Sequence, residues 1–312
     1  MQMKWRYVWL AIFLGLLLPW ILIMNIEKNI ETPPSTYETF KEPERIHVQL
    51  PDQTIVEMDM DTYVLGVLFG EMPSNFEPEA LKAQAVAART FAKRSMIIGS
   101  KHNEFDICTN SNCCQSYADP NMFKDHTDHY YKFYNAVNET RGLYLFYKNS
   151  LAETTYFSCS GGKTEDAVAV WGTNVPYLKS VDSPGEEKAV HYISSKSFTV
   201  NEFITLLGEN PSGLPETWIG DISYTQGGGV DTIQIGAKTY SGTQIRQLLG
   251  LKSTAFRITA LGDKITVTTK GFGHRVGMSQ YGADAMAAAG STYEQILAYY
   301  YPGTVLKSDP DI

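Results

Sequence analysis

The sequence predicts an α+β fold: a mixed helix and strand main domain, a smaller α+β unit inserted in it, and one N-terminal transmembrane helix ahead of both. Three observations carry this. An apolar run of membrane-spanning length, Trp5 to Met24, opens the chain. From Ile46 onward short alternating segments give way to helical ones, one of them rich in alanine at helical spacing. Between about Tyr192 and Thr269 the texture changes to short strands joined by Gly-rich turns. The 312 residues, 43% of them apolar, suffice for one large domain or two ordinary ones. The division expected is 1–28 for a cytoplasmic tip and signal anchor, 29–44 for an extracytoplasmic tether, 45–191 with 270–312 for the main domain, and 192–269 for the inserted unit.

Only Arg6 interrupts the apolar run. Lys4 and Arg6 precede its body while Glu27, Lys28 and Glu31 follow, so the positive-inside rule places everything after Met24 outside the cytoplasm. A cleaved signal peptide is the competing reading. No A-x-A-like site follows the run, which favours an uncleaved, single-pass anchor in the cell membrane. Asn29 to Glu44 is polar and contains prolines, as a tether would. A net charge of −8 argues against nucleic-acid binding and against adhesion to anionic headgroups.

Ile46 to Leu50 and Thr54 to Met58 alternate like strands around Pro51 and Asp52. A helix follows, with Asp61 as its expected N-cap, Tyr63, Val64, Val67 and Leu68 on its apolar face, and Pro73 beyond its end. Pro73 disfavours helix at Met72, which leaves Glu71 in the last turn. There the helix dipole opposes ionisation, and burial in a cleft would raise the carboxyl pKa further. Such a Glu can act as an acid; a solvated carboxylate at a helix end is the plain alternative. The next helix starts at Pro78 and carries the stripe Leu81, Ala85, Ala88 and Ala92, with Gln84 and Arg89 as polar residues able to enter a cleft.

Arg141 to Asn149 and Ala152 to Ser158 read as two strands around a turn. In the inserted unit, FTVNEFITLLG reads as helix, GDISYTQGGGVDTIQIGAKTYSG as strands, SGTQIRQLLG as a short helix capped by Ser241 or Thr243, and FRITALGDKITVTTKG as a hairpin around Gly262 and Asp263. Gly282 to Gly290 and YEQILAYYYPG close the chain as helices.

His102, Cys108, Cys113 and Cys114 form H-x5-C-x4-C-C, which lacks the C-x2-C of common zinc modules. Two readings stay open: a Zn2+ site, or a disulfide of Cys108 with Cys114 or Cys159 on the oxidising side of the membrane. His126 and His129, three apart on an expected helix, are spare ligands.

VLGVLFGEMPSNFEPEALKAQAVAARTFA, TYFSCSGGKTED, VWGTNVPYLKSVDSP and GFGHRVGMSQYGADAMA resemble, in order, four blocks of the stage II sporulation protein D family, spanning most of the chain from Glu57 onward. The resemblance implies a lytic transglycosylase that cuts the glycan strands of peptidoglycan during forespore engulfment, from the mother-cell membrane. It implies a preference for strands stripped of stem peptides by a partner amidase, and a membrane scaffold protein as a further partner. Glu71 would be catalytic, first as acid and then as base toward the C6 hydroxyl of the same muramic sugar, leaving a 1,6-anhydro end. Arg89 aligns with a functionally important arginine. A direct ion pair would weaken Glu71 as an acid, so Arg89 is expected to touch substrate or an intervening group.

Lys188, preferred over Lys179, and His274, Ser279, Gln280 and Tyr281 are the expected substrate-binding residues. Arg275 stands where the family pattern has Gly. Relatives carry a metal-binding cluster where His102, Cys108, Cys113 and Cys114 lie, with His in place of Cys113; a Zn2+ with four protein ligands would brace the loop rather than react. Two rival functions remain: a non-catalytic wall-binding activator or scaffold of a cell-wall amidase, and an ordinary glycoside hydrolase pairing Glu71 with Glu165 or Asp166.

Overall fold

The computed structural model describes residues 44–99 and 101–308. The expected membrane helix, and the tether up to residue 43, lie outside them. Among the described residues no helix is long and apolar enough to cross a membrane. The architecture is α+β, with three buried apolar clusters.

β1 (Arg45–Gln49) and β2 (Ile55–Asp59) form the antiparallel pair that their alternation predicts, and β3 (Ile107–Cys108) adds to β1 in parallel. α1 (Met60–Glu71) is capped by Asp59, whose carboxylate accepts from the backbone of Asp61 and Thr62. The expected cap, Asp61, is instead committed to arginines: Arg89 Nη2 lies 2.9 Å and Arg141 Nε 2.7 Å from its oxygens. α1 stops at Glu71 because Met72, ahead of Pro73, is extended.

α2 (Pro78–Ile98) runs through the centre. Leu81, Ala85, Ala88 and Ala92 join the first cluster with α1 and α3 (Thr127–Glu139), while Ala80, Ala83, Val86 and Ala87 join the second. Small residues on both flanks let neighbouring elements approach closely on two sides. β4 (Leu143–Tyr147) turns back only into β5 (Ser150–Leu151). The strand expected over Ala152–Ser158 does not continue that pairing. Thr154 turns inward to donate to the Ala87 carbonyl, and β6 (Tyr156–Phe157) belongs elsewhere. α4 (Ala167–Trp171) follows.

The third cluster draws only on residues between Phe198 and Val267. It is enclosed by β7 (Ile193–Thr199), α5 (Val200–Leu207), β8 (Ile219–Tyr224), β9 (Val230–Ile235), β10 (Lys238–Ser241), α6 (Gly242–Leu248), β11 (Phe256–Leu261) and β12 (Lys264–Lys270). Two antiparallel sheets, in the orders β10-β9-β8 and β11-β12-β7, carry it. Ser241, not Thr243, caps α6. The chain enters and leaves this region at one place, where Gly271 N donates to the Tyr192 carbonyl at 2.9 Å. β13 (Met278–Ser279) then pairs in parallel with β6, α7 (Gln280–Ala288) and α8 (Tyr293–Tyr300) pack against α2, and β14 (Val305–Ser308) completes the sheet of β4.

Candidate active site

Two glycines one helical turn apart shape the site. A Cβ on Gly66 would fall 2.0 Å from the Tyr117 ring, and one on Gly70 would fall 2.7 Å from the Tyr117 backbone nitrogen. Their bare faces form a groove on α1 in which Ser116 to Ala118 lies against the helix, fixed by Ala118 N donating to the Gly66 carbonyl at 3.0 Å. The same segment points Ser116 N at Glu71 Oε1, 2.7 Å away. The other oxygen, Oε2, accepts from Gln280 Nε2 at 3.2 Å, brought in by the first residue of α7. Burial raises the Glu71 pKa from its ordinary value, while the Ser116 and Gln280 bonds pull it back in part. Beneath lies Gln115, which accepts from Tyr63 Oη and donates to Tyr156 Oη, both at 2.9 Å.

Arg89 is elsewhere. It is 1% exposed. Its guanidinium donates to Asp61, to the Thr140 carbonyl at 2.8 Å and to the Val137 carbonyl at 3.1 Å. Asp61 and Glu71 stand ten residues apart on one helix, about 15 Å of rise. Arg89 therefore ties the start of α1 to the end of α3, and none of its hydrogen-bond partners is Glu71. A cleft of about 460 Å³ lined by Asp61, Tyr117, Tyr134 and Arg141 opens at that same far end. Its lining does not include Glu71, although α1 and the segment through Tyr117 border both.

The Gly-rich block divides between the site and its support. Gln280 touches Glu71, and the Tyr281 ring meets Phe76 edge-on at 4.8 Å between centroids. Ser279 is fully buried; it caps α7 and donates to Glu186, so its hydroxyl is spent inside the protein. Glu186, which sequence reasoning passed over, also accepts from Ser160 N and Oγ, Gly161 N and Ser183 Oγ, and so gathers three loops on one buried carboxylate. Its place in a polar run offered no signal. His274 accepts from Val276 N at Nδ1, and its pKa is pushed down to about 4, by burial first and then by the charge of Arg246. It is a neutral imidazole at pH 7. Lys188 Nζ pairs at 3.0 Å with Asp284, whose other oxygen accepts from Glu77 N at the start of α2. Lys179 Nζ donates to Asn174 Oδ1 at 3.3 Å.

Glu165 is not a second catalytic carboxylate. It is 1% exposed, and its Oε1 pairs with Arg275 Nη1 at 3.1 Å and accepts from Thr225 and Gly229. Asp166 accepts from Ser180 N. Gln84, expected to line a cleft, is fully buried, and neither amide atom has a partner among the described residues.

His102, Cys108, Cys113 and Cys114 bring their ligand atoms within 4.8 Å of one another. Tetrahedral Zn2+ geometry requires roughly 3.6 Å between N and S ligands and roughly 3.8 Å between S ligands. The separations are 3.6 Å and 3.5 Å from His102 Nε2 to the sulfurs of Cys113 and Cys114, and 3.9 Å between those sulfurs. The group can therefore hold a metal ion. All four cysteines are free, which departs from the disulfide reading, and Cys159 lies apart, paired through its backbone with Phe272. His126 and His129 are exposed and take no part in the cluster.

A family model described as Stage II sporulation protein matches residues 52–147, the stretch that holds Glu71, Arg89 and the cysteine cluster. Stage II sporulation protein D of Bacillus subtilis (strain 168) is 40% identical, over 93% of this chain and 91% of its own. The protein of the same name from Bacillus amyloliquefaciens is 40% identical over 81% of this chain and 75% of its own. A third relative, the amidase enhancer of Bacillus subtilis (strain 168), is 31% identical over 78% of this chain and 40% of its own. At 40% identity over most of both chains, the chain belongs to the stage II sporulation protein D family.

Proposed function

We propose that the protein is a membrane-anchored lytic transglycosylase acting on the glycan strands of peptidoglycan, preferentially those without stem peptides, during forespore engulfment. The observation that carries this reading is a single carboxyl, Glu71, raised by burial and bracketed by two N–H donors, with no second carboxylate among its partners. A hydrolase needs a second carboxylate to activate water or form a glycosyl intermediate. An intramolecular attack does not. The Glu71 proton passes to the glycosidic oxygen as its bond to C1 breaks. The C6 hydroxyl oxygen of the same sugar then bonds to C1 and gives its proton to the Glu71 carboxylate. The acid is regenerated, and the product carries a 1,6-anhydro end.

Ser116 and Gln280 hold the carboxyl in place and steady the anion between the two proton transfers. Tyr281 and Phe76 offer an aromatic wall beside it. The cysteine cluster, read as a structural Zn2+ site, would brace the segment that ends at Ser116. Read as an anchor, the apolar run Trp5 to Met24 supports a position for this chemistry outside the cytoplasm, at the mother-cell membrane facing the forespore.

The amidase enhancer among the relatives supports a second reading, in which the chain binds the wall and stimulates an amidase without cutting glycan. Incubating the protein and its Glu71→Gln variant with peptide-free strands, and reading product ends by mass spectrometry, separates the two. Anhydro ends made only by the unsubstituted protein support the enzyme. Binding without cleavage supports the activator, and reducing ends would make it a hydrolase.

A further inference from the structure

Tyr130, Tyr134 and Asn138 stand four apart on α3, so they form one ridge along the helix. That ridge lines one side of the cleft of about 460 Å³ at the far end of α1, and the start of α1 lines another. The volume falls in the range of sites for small organic ligands, about 300–1,000 Å³. The aromatic side is firmly built. The rings of Phe123, Phe69, Tyr130 and Tyr134 follow one another in a stack, with centroids 4.3, 6.0 and 6.3 Å apart. Phe69 also meets the buried Phe133 edge-on at 4.7 Å, which ties the stack to the first cluster. Tyr134 ends the stack and is 42% exposed.

The polar groups of the cleft divide into spent and unspent. Asp59 caps α1, Asp61 holds Arg89 and Arg141, and Asp119 accepts from Asn121 N and Nδ2. With each carboxylate engaged, the cleft is not a cation site. The Tyr134 hydroxyl, the Asn138 amide and the Lys124 ammonium, by contrast, make no hydrogen bond or ion pair among the described residues. Arg141, fixed to Asp61 through Nε at 2.7 Å, likewise keeps both Nη groups unbonded among the described residues. An exposed ring, a hydroxyl, an amide and two cations match a chain of N-acetylated sugars. A pyranose face stacks on the ring, its hydroxyl and acetamido groups meet the amide and guanidinium, and a muramic carboxylate pairs with a cation.

We propose that this cleft is a second glycan-binding site, which holds the strand by sugars away from the bond that Glu71 breaks. The inference rests on the glycan reading above and deepens it. Glu71 is outside the lining, so the cleft grips and does not cut. Tyr117 connects the two places: it lines the cleft, and its neighbour Ser116 donates to Glu71. One segment thus serves as a wall of the cleft and a support of the acid.

The test uses the full-length chain carrying Glu71→Gln, so that peptide-free strands are bound and not cut. Tyrosines are nitrated with and without saturating strand, and the modified peptides are read by mass spectrometry. Tyr131, 60% exposed on the same helix but outside the lining, is the internal control. Bound strand should protect Tyr134 several-fold and leave Tyr131 as reactive as before. Adding Tyr134→Ala should weaken strand binding about tenfold, the scale of one lost aromatic platform, and Tyr134→Phe should keep most of the affinity. Strands that bind while Tyr134 stays fully reactive overturn the inference and leave the glycan reading standing; that comparison needs no variant at position 134 to fold. Equal protection of both tyrosines, or unchanged affinity in Tyr134→Ala, overturns it as well. Failure to bind strands at all overturns the glycan reading, and this inference falls with it.

Discussion

Arg275 occupies a left-handed backbone position, φ +68°, and its Nη1 lies 3.1 Å from Glu165 Oε1 in the interior. Glycine would hold that backbone without strain, and the arginine keeps it at a cost of about 1–2 kcal/mol. In return its guanidinium also donates to the carbonyls of Ser160, Lys163 and Gly227, joining the Gly-rich turn at Gly227 to the segment Ser160 to Lys163. Arg275→Gly should relieve the strain yet strand Glu165, for a loss of about 3–5 kcal/mol. The expected net is a destabilisation of roughly 2–3 kcal/mol in urea unfolding. Adding Glu165→Gln should recover much of it. An unchanged midpoint for Arg275→Gly would show that the pair contributes nothing.

The pH dependence follows from Glu71. Its folded pKa is raised, so the proton-holding acid survives to higher pH than in a free carboxyl, and activity falls as pH rises through that value. The Gln280 amide favours the carboxylate and lowers the pKa; Gln280→Leu removes it and should move the alkaline limb of kcat/KM to higher pH. Stability obeys the same sign. The Glu71 contribution is fully present below the unfolded Glu pKa and declines as pH rises through the folded one, a decline that Glu71→Gln should abolish. A limb that moves to lower pH in Gln280→Leu contradicts this account.

Gly70→Ala pits two effects against each other. Alanine improves helix propensity by about 1 kcal/mol. Its Cβ, however, would meet the Ser116–Tyr117 backbone at 2.7–2.9 Å, and overpacking of this kind costs about 1–3 kcal/mol. The backbone cannot swing aside as a side chain can, so the clash wins. The variant should be less stable, and with Ser116 displaced its alkaline limb should shift upward as in Gln280→Leu.

Arg89→Ala distinguishes a positioning role from a catalytic one. The geometry predicts a fall in stability of about 3–5 kcal/mol, because Asp61 and the carbonyls at the end of α3 lose a buried cation. Activity per folded molecule should fall far less than in Glu71→Gln. Urea unfolding beside active-site-normalised rates decides it, and a stable but inactive variant would restore the catalytic role.

Metal removal should be felt at Glu71. The protein should carry one equivalent of zinc by elemental analysis, and a chelator or Cys114→Ser should lower Tm. Since Cys114 lies two residues before Ser116, loss of the ion should also shift the alkaline limb. Full thermal stability without metal would refute the structural role.

What was legible in the sequence, and what was not, divides along physical lines. Glu71 was placed in the last turn of its helix because Pro73 acts locally, and the His and Cys ligands were grouped because they are close in sequence. The partners of Arg89 lie 28 to 51 positions away, and no periodicity reports that distance. Asp61 was mistaken for a cap because its residue type suits capping; the pull of two arginines is invisible from neighbours. Ser279 looked like a sugar ligand until Glu186, 93 positions away, claimed its hydroxyl. Gly66 and Gly70 were in plain view as glycines one turn apart, and that spacing was the available signal for a chain lying against the helix.

The hydrogen bond from Gly271 to Tyr192 closes the neck of the inserted region. The chain that leaves the main body returns to its point of departure, and Glu165 and Arg275 hold the turn at Thr225 to Gly229 as a second attachment. The region keeps its own core and does not carry Glu71, so its sequence is freer to vary than that of α1 or α7.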